Sequence, residues 1–114
     1  MLKQISNIFK SRKENLKRNF TKNVTLENLE KMKNKGVLII DVRSPQEYKE
    51  GHIKGAICIP EYEIQDEIEK IEKNKDREII LYCSTGNRSK KARNTLEELG
   101  YSKVYNLANG WKNY

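Results

Sequence analysis

The stretch that decides the fold is IILYCSTGNRSKKARNTLEELG, residues 79–100. It opens on four apolar or aromatic residues, 79–82, which is typical of a short strand buried on both faces of a parallel sheet. A polar loop follows, with Cys83 at its start, and a helix is predicted over 89–99 with Gly100 as its C-terminal stop. A strand that leads through a tight loop into a helix is the repeating unit of an α/β protein.

The same alternation extends along the chain in both directions. Periodicity and boundary residues predict the following further elements: an edge strand within 20–25, a helix over 26–33, a strand over 37–40, a short helix from Pro45 to about Gly51, a strand over 56–59, a helix over 61–73, a strand over 104–107 and a turn over 111–114. Repeated strand–helix alternation predicts a parallel sheet with helices on both faces.

Helix boundaries carry capping residues. Thr25 is placed to cap the helix over 26–33, and Gly36 to end it. Ser44 and Glu47, three residues apart around Pro45, predict a capping box. In the helix over 61–73, the stripe expected to face the core is Ile64, Ile68 and Ile71.

Composition limits the function classes. The chain has 114 residues, 36% hydrophobic and 34% charged, which suits one domain with a single core. No long apolar run or signal-peptide core is present, so a cytoplasmic protein is expected. Two cysteines outside any CxxC, with one histidine, favour a reducing compartment and argue against a zinc site.

The net charge of +7 is concentrated in the N-terminal third. Residues 1–35 hold ten basic and three acidic residues, whereas residues 36–114 hold thirteen of each. Nucleic-acid binding by the body of the domain is therefore not expected. Residues 1–20 are interpreted as a basic extension that is solvated or packed as a helix; contact with an anionic membrane or an acidic partner is the less favoured alternative.

The loop after Tyr82 carries the candidate chemistry. Ligands of parallel α/β sheets bind at the carboxyl ends of strands, where Cys83 is predicted to lie. Loop amides and the start of the next helix lower a thiol pKa, and Gly86 permits a backbone angle that brings amides inward. Arg88 offers a bidentate donor for an oxyanion. Taken alone, a cysteine at a strand end is more often a core residue, and a lysine-rich helix start is common.

The chain resembles rhodanese-like domains along its length. The segments that carry the resemblance are DVR at 41–43, EY at 47–48, GHIKGA at 51–56, IP at 59–60, CSTGNRS at 83–89 and YNLANG at 105–110. The resemblance spans roughly residues 24–114. It implies a three-layer α/β/α domain over 21–114, with a five-stranded, mainly parallel sheet.

The resemblance also implies a function, that of a thiosulfate sulfurtransferase without metal or organic cofactor. In such an enzyme Cys83 takes sulfur from a thiosulfate-like donor as a persulfide and passes it to cyanide, a thiol or a protein acceptor. Arg88 would face the sulfonate oxygens of the donor. The residues expected to bind substrate are Ser84, Thr85, Gly86, Asn87 and Ser89.

Two other functions remain open from the sequence. One is a persulfide carrier or sensing module that serves a protein partner, docked through residues 1–20. The other is a phosphatase, which the loop disfavours: only four residues separate Cys83 from Arg88, and related cell-cycle phosphatases have a longer loop.

Several nearby residues have competing interpretations. Asp41 and Arg43, at the end of the strand over 37–40, are expected to brace the loop or to make a purely structural turn contact. His52 is interpreted as structural. Cys58 is interpreted as a small buried side chain, with the alternative of a second thiol that resolves the persulfide if it lies within disulfide reach.

Overall fold

The computed structural model describes residues 23–108 and 110–113, so the predicted extension over 1–20 lies outside the described residues. The described strands are β1 (Asn23–Val24), β2 (Leu38–Asp41), β3 (Ile57–Cys58), β4 (Ile79–Tyr82) and β5 (Val104–Leu107). The helices are α1 (Leu26–Asn34), α2 (Pro45–Glu50), α3 (Ile64–Ile71) and α4 (Asn87–Glu98), with 3₁₀ turns at Glu61–Glu63 and Trp111–Asn113.

The five strands form one sheet in the order β1-β5-β4-β2-β3, and each neighbouring pair is parallel. β4 lies at the centre, with Leu81 opposite Ile40 of β2 and Asn106 of β5. Because all strands run the same way, the loops after β2, β4 and β5 meet at one edge. This edge is where the loop beginning at Cys83 lies.

Alternate residues of the central strands point to opposite faces of the sheet, and each face has its own core. Ile79, Leu81 and Cys83 pack with α3 and α4 on one face. Ile80 and Tyr82 pack with Leu29 of α1 on the other. The sheet is therefore the middle of three layers, and the all-parallel α/β architecture predicted from the sequence is confirmed.

The predicted caps are present. The Thr25 hydroxyl accepts a hydrogen bond from the Asn28 backbone N–H at 3.2 Å. Ser44 accepts from the Glu47 N–H at 3.2 Å, and the Glu47 carboxylate accepts from the Ser44 N–H at the same distance. These bonds satisfy backbone donors that a helix N-terminus leaves without partners.

Three boundary predictions need correction. Residues 61–63 form a 3₁₀ turn and α3 covers only 64–71, so the helix predicted over 61–73 is shorter. The prediction that Ile71 faces the core is wrong. Ile71 is 49% exposed, because it is the last residue of α3 and the next residue, Glu72, has an extended backbone. α4 begins at Asn87 rather than Ser89, because Gly86 adopts a left-handed φ of 101° and turns the chain into the helix there.

Candidate active site

Cys83 is the first residue after β4, and its side chain lies in a cradle of donors built by the following loop. The Sγ atom accepts hydrogen bonds from the backbone N–H groups of Gly86 at 3.1 Å and Ser89 at 3.4 Å. The Ser89 hydroxyl lies 3.5 Å from the same sulfur. Only 1% of Cys83 is exposed, so these contacts take the place of water. The predicted convergence of the loop on this thiol is observed.

The cradle changes the acidity of the thiol. Burial by itself would raise the pKa of Cys83, because it disfavours the thiolate. The hydroxyl and N–H of Ser89, with the N–H groups of Gly86 and Thr85, outweigh burial, and the pKa lies below its ordinary value. The site therefore stabilises negative charge on sulfur.

The Ser89 hydroxyl is held by three neighbours, and one of them was not predicted. Its single proton can be donated to the Gly86 carbonyl at 3.1 Å, to the side-chain oxygen of Asn106, a buried residue of β5, or to the Cys83 sulfur, one acceptor at a time. The Asn106 amide in turn donates to Asn23 of β1 at 3.3 Å. Asn106 stands in the YNLANG segment at 105–110, which is a signal for its importance, but its contact with the loop depends on the β4–β5 register.

Arg88 forms an ion pair with Glu47 of α2 and also interacts electrostatically with Cys83. Its guanidinium donates both terminal nitrogens to Glu47 of α2, Nη1 to Oε1 at 2.8 Å and Nη2 to Oε2 at 3.0 Å. The Ser84 hydroxyl joins the same carboxylate at 3.1 Å. Hydrogen bonds from Arg88 hold the pKa of Glu47 far below its ordinary value, more than offsetting burial. The sequence prediction for the site did not include Glu47, which appeared there as a capping residue and as part of the EY segment at 47–48.

Asp41 and Arg43 form a buried ion pair at the end of β2. The Nη2 atom of Arg43 lies 2.7 Å from Asp41 and also donates to the Gly51 carbonyl at 2.6 Å. Its guanidinium stacks 4.9 Å from the ring centre of Trp111, whose backbone N–H donates to the Cys83 carbonyl at 2.7 Å. The pair therefore braces the loop indirectly, through the C-terminal turn and the end of α2.

Gly110 lets the C-terminal turn pack against the start of the loop. A Cβ atom at this position would lie 2.5 Å from the carbonyl oxygens of both Cys83 and Ser84. Side-chain atoms do not approach backbone this closely, so only glycine fits. Gly110 belongs to the YNLANG segment at 105–110, but the sequence did not predict this contact.

The remaining predicted residues lie around the rim. Thr85 and Asn87 are exposed, and Asn87 is the first residue of α4. Lys91 of α4 forms an ion pair with Glu61 at 3.4 Å. Lys90 lines a cavity of about 180 Å³ together with Asn23, Thr85, Gly86, Asn106 and Ala108. His52 is exposed and stacks on Tyr48, with ring centres 3.6 Å apart.

Cys58 is placed where it cannot reach Cys83. It lies opposite Asp41 in β3, and Asp41 lies opposite Tyr82 in β4, so two strand spacings separate the cysteines. That is about 10 Å, beyond the span of a disulfide. Cys83, one residue beyond Tyr82, also points to the other face of the sheet. Desolvation raises the pKa of Cys58, so its thiol is the opposite of Cys83 in acidity.

Within residues 23–108 and 110–113, no group of three or more His, Cys, Asp or Glu side chains is arranged to hold a metal ion. In that same part of the chain, no helix is both long and apolar enough to cross a membrane.

Comparison with known proteins agrees with this architecture. The family profile of the Rhodanese-like domain matches residues 25–114. Thiosulfate sulfurtransferase PspE of Escherichia coli (strain K12) is 39% identical over 67 residues, 59% of this chain and 64% of that protein. A sulfurtransferase of Allochromatium vinosum is 38% identical over 74 residues, 65% of this chain and 67% of that protein. The solved structure of the human single-domain sulfurtransferase TSTD1 superposes with a TM-score of 0.72 at 25% identity, covering 80% of this chain and 92% of that one.

The chain belongs to the rhodanese-like family, since the profile spans most of its length. The resemblance inferred from the sequence is confirmed. The matched region is less than two thirds of the length of the Escherichia coli relative.

Proposed function

We propose that this rhodanese-like chain is a sulfurtransferase that carries sulfur on Cys83 as a persulfide, taking it from a thiosulfate-like donor and giving it to a thiophilic acceptor. The observation that carries the proposal is the donor cradle of Cys83. Its sulfur accepts hydrogen bonds from two backbone N–H groups in a buried site, and its pKa is lowered. The sulfurtransferase names of the relatives support the same reaction class.

The first half-reaction forms the persulfide. The Cys83 thiolate attacks the outer sulfur of thiosulfate, a new S–S bond forms, and the S–S bond of the donor breaks. Sulfite leaves with the electron pair of that bond, so the total charge is unchanged and no proton, metal or oxidant is needed. The thiolate is the reactive form, which is why a lowered pKa matters.

The second half-reaction empties the site. Cyanide or an acceptor thiolate attacks the outer sulfur of the persulfide, and the Cys83 thiolate is the leaving group. The N–H groups of Gly86 and Ser89, already directed at sulfur, are placed to stabilise the negative charge in both steps. Asn87 and Thr85 would line the entrance, and Asp41 and Arg43 would hold the loop without touching substrate.

The test is the intact mass of reduced protein after incubation with thiosulfate. The expected result is a gain of one sulfur atom that cyanide removes. Cys83→Ala should abolish the gain, and Cys58→Ala should not, which makes the second thiol a matched control. A gain that survives Cys83→Ala, or no gain at all, would overturn the proposal, and Cys83-dependent hydrolysis of an aryl phosphate would replace it with phosphatase chemistry.

A further inference from the structure

Glu47 joins two structures that the sequence does not connect. Its Oε1 atom accepts from the Ser44 N–H and hydroxyl, which caps α2, and from Arg88. Its Oε2 atom accepts from Arg88 and from the Ser84 hydroxyl. The capping box requires only the contact with Ser44. The three contacts with Ser84 and Arg88 are therefore not needed to cap α2 and must have another role.

These contacts occupy the guanidinium that a donor anion would need. Arg88 holds Glu47 in a two-pronged geometry, the same geometry with which arginine binds sulfonate or phosphate oxygens. The hydrogen bond with Glu47 raises the pKa of Arg88, and the bond with Arg88 lowers that of Glu47. Both groups stay charged at any working pH, so protonation does not open the pair. An anion must compete for Arg88 or bind beside an intact carboxylate.

We propose that Glu47 is a specificity-determining residue, which holds Arg88 in the resting site and selects sulfur donors by their negative charge. The proposal rests on the proposed function. The charge of Glu47 repels a dianion such as thiosulfate about twice as strongly as it repels a monoanion. Removing this charge frees Arg88 and should therefore improve the binding of the dianion more than that of the monoanion. Glu47 thus sets how far the site discriminates between donors that share a sulfur-transferring head but differ in charge.

The pair is suited to such competition because it is only partly buried. The side chains of Arg88 and Glu47 are 42% and 32% exposed. Ion pairs of this exposure contribute little stability and are screened by solvent. A bound anion can therefore displace the carboxylate, which the buried pair of Asp41 and Arg43 would not allow.

Glu47→Gln is the discriminating variant, because glutamine also serves at this position of a capping box and only the charge is lost. Two donors give a matched comparison: thiosulfate, a dianion, and methanethiosulfonate, a monoanion that releases methanesulfinate. We expect KM for thiosulfate to fall about two- to fivefold, the scale of partly exposed ion pairs, with a smaller fall for methanethiosulfonate. Glu50→Gln removes the same charge from α2 without touching Arg88, and should leave both KM values unchanged.

A binding measurement separates this proposal from the proposed function. In Cys83→Ser protein, which cannot form the persulfide, sulfate binding measured by calorimetry should tighten when Glu47→Gln is added. Glu47→Asp keeps the charge but is too short for the two-pronged contact, and should give an intermediate affinity. Unchanged or weaker anion binding in Glu47→Gln, with an unaltered unfolding midpoint, would overturn the role of Glu47. If the wild-type protein transfers no sulfur, the proposed function is overturned instead, whatever the anion-binding result.

Discussion

Replacing Gly110 by alanine should lower the free energy of unfolding more than the same replacement at any other glycine near the site. Gly110 has a φ of +66°, and its Cβ would lie 2.5 Å from the carbonyl oxygens of Cys83 and Ser84. Both neighbours are backbone atoms, so no side chain can move aside. One of them belongs to the residue that carries the proposed chemistry.

The magnitude has two parts. A side chain in the left-handed region costs about 1–2 kcal/mol. Overpacking a close-packed contact costs about 1–3 kcal/mol more. The loss in the free energy of unfolding is therefore about 2–5 kcal/mol. With an m-value of about 1.5 kcal/mol/M, a loss of about 3 kcal/mol lowers the urea midpoint by about 2 M.

Gly36→Ala supplies the matched control. Its φ is +83°, in the same region, and nothing lies within 4 Å of the added Cβ. It should lose only the backbone part, about 1–2 kcal/mol. Urea unfolding of wild type and both variants measures the difference, and thiolate absorbance at Cys83 measures the local effect. Equal losses in the two variants would refute the steric argument, and an unchanged Cys83 pKa in Gly110→Ala would refute the link to the loop.

Three further predictions follow from the site. Ser89→Ala should raise the pKa of Cys83, measured by thiolate absorbance in a Cys58→Ala background, because it removes a hydroxyl 3.5 Å from sulfur; Ser84→Ala, which removes a hydroxyl that contacts Glu47 instead, should shift it less. Because the folded pKa of Cys83 is lowered, the thiolate contributes stability above the unfolded pKa of about 8.5, and this contribution is lost as pH falls through the folded pKa. The difference in unfolding free energy between wild type and Cys83→Ala should therefore grow as pH rises through the folded pKa and level off above the unfolded one, and a constant difference would contradict it. Asp41→Asn should cost about 3–5 kcal/mol in urea unfolding, because it leaves the guanidinium of Arg43 buried without its charge partner.

Local patterns predicted most of the fold. β4 was recognised from four consecutive apolar residues, because a central parallel strand is buried on both faces. The α2 capping box was recognised because its two members are three residues apart and interact along the chain. The prediction for Ile71 was wrong because periodicity indicates which face of a helix is buried but not the residue at which the helix ends.

The loop around the candidate nucleophile, Cys83, could be predicted from the sequence, but the residues that support this loop could not. Cys83, Gly86 and Ser89 lie within seven residues of one another, so a loop between a strand and a helix brings them together. Glu47 and Arg88 are 41 positions apart, and their contact depends on how α2 sits over the carboxyl edge of the sheet. Pattern alone gives no such distance. The sequence pattern predicted a cation, Arg88, near the loop, but it did not predict that Glu47 holds this cation.

The contacts around Cys83 also explain why its thiol stays in place, since they add to its packing against α3 and α4. The Cys83 carbonyl is fixed by Trp111, the Ser84 carbonyl by the N–H of Lys112, and the sulfur by Gly86 and Ser89. Backbone contacts on one side and loop amides on the other restrict the movement of the sulfur. In the proposed transfer, a persulfide would use the same amides as the thiolate it replaces, so the site would need little reorganisation. Under the same proposal, donors would differ in the anion that they present to the ion pair of Glu47 and Arg88.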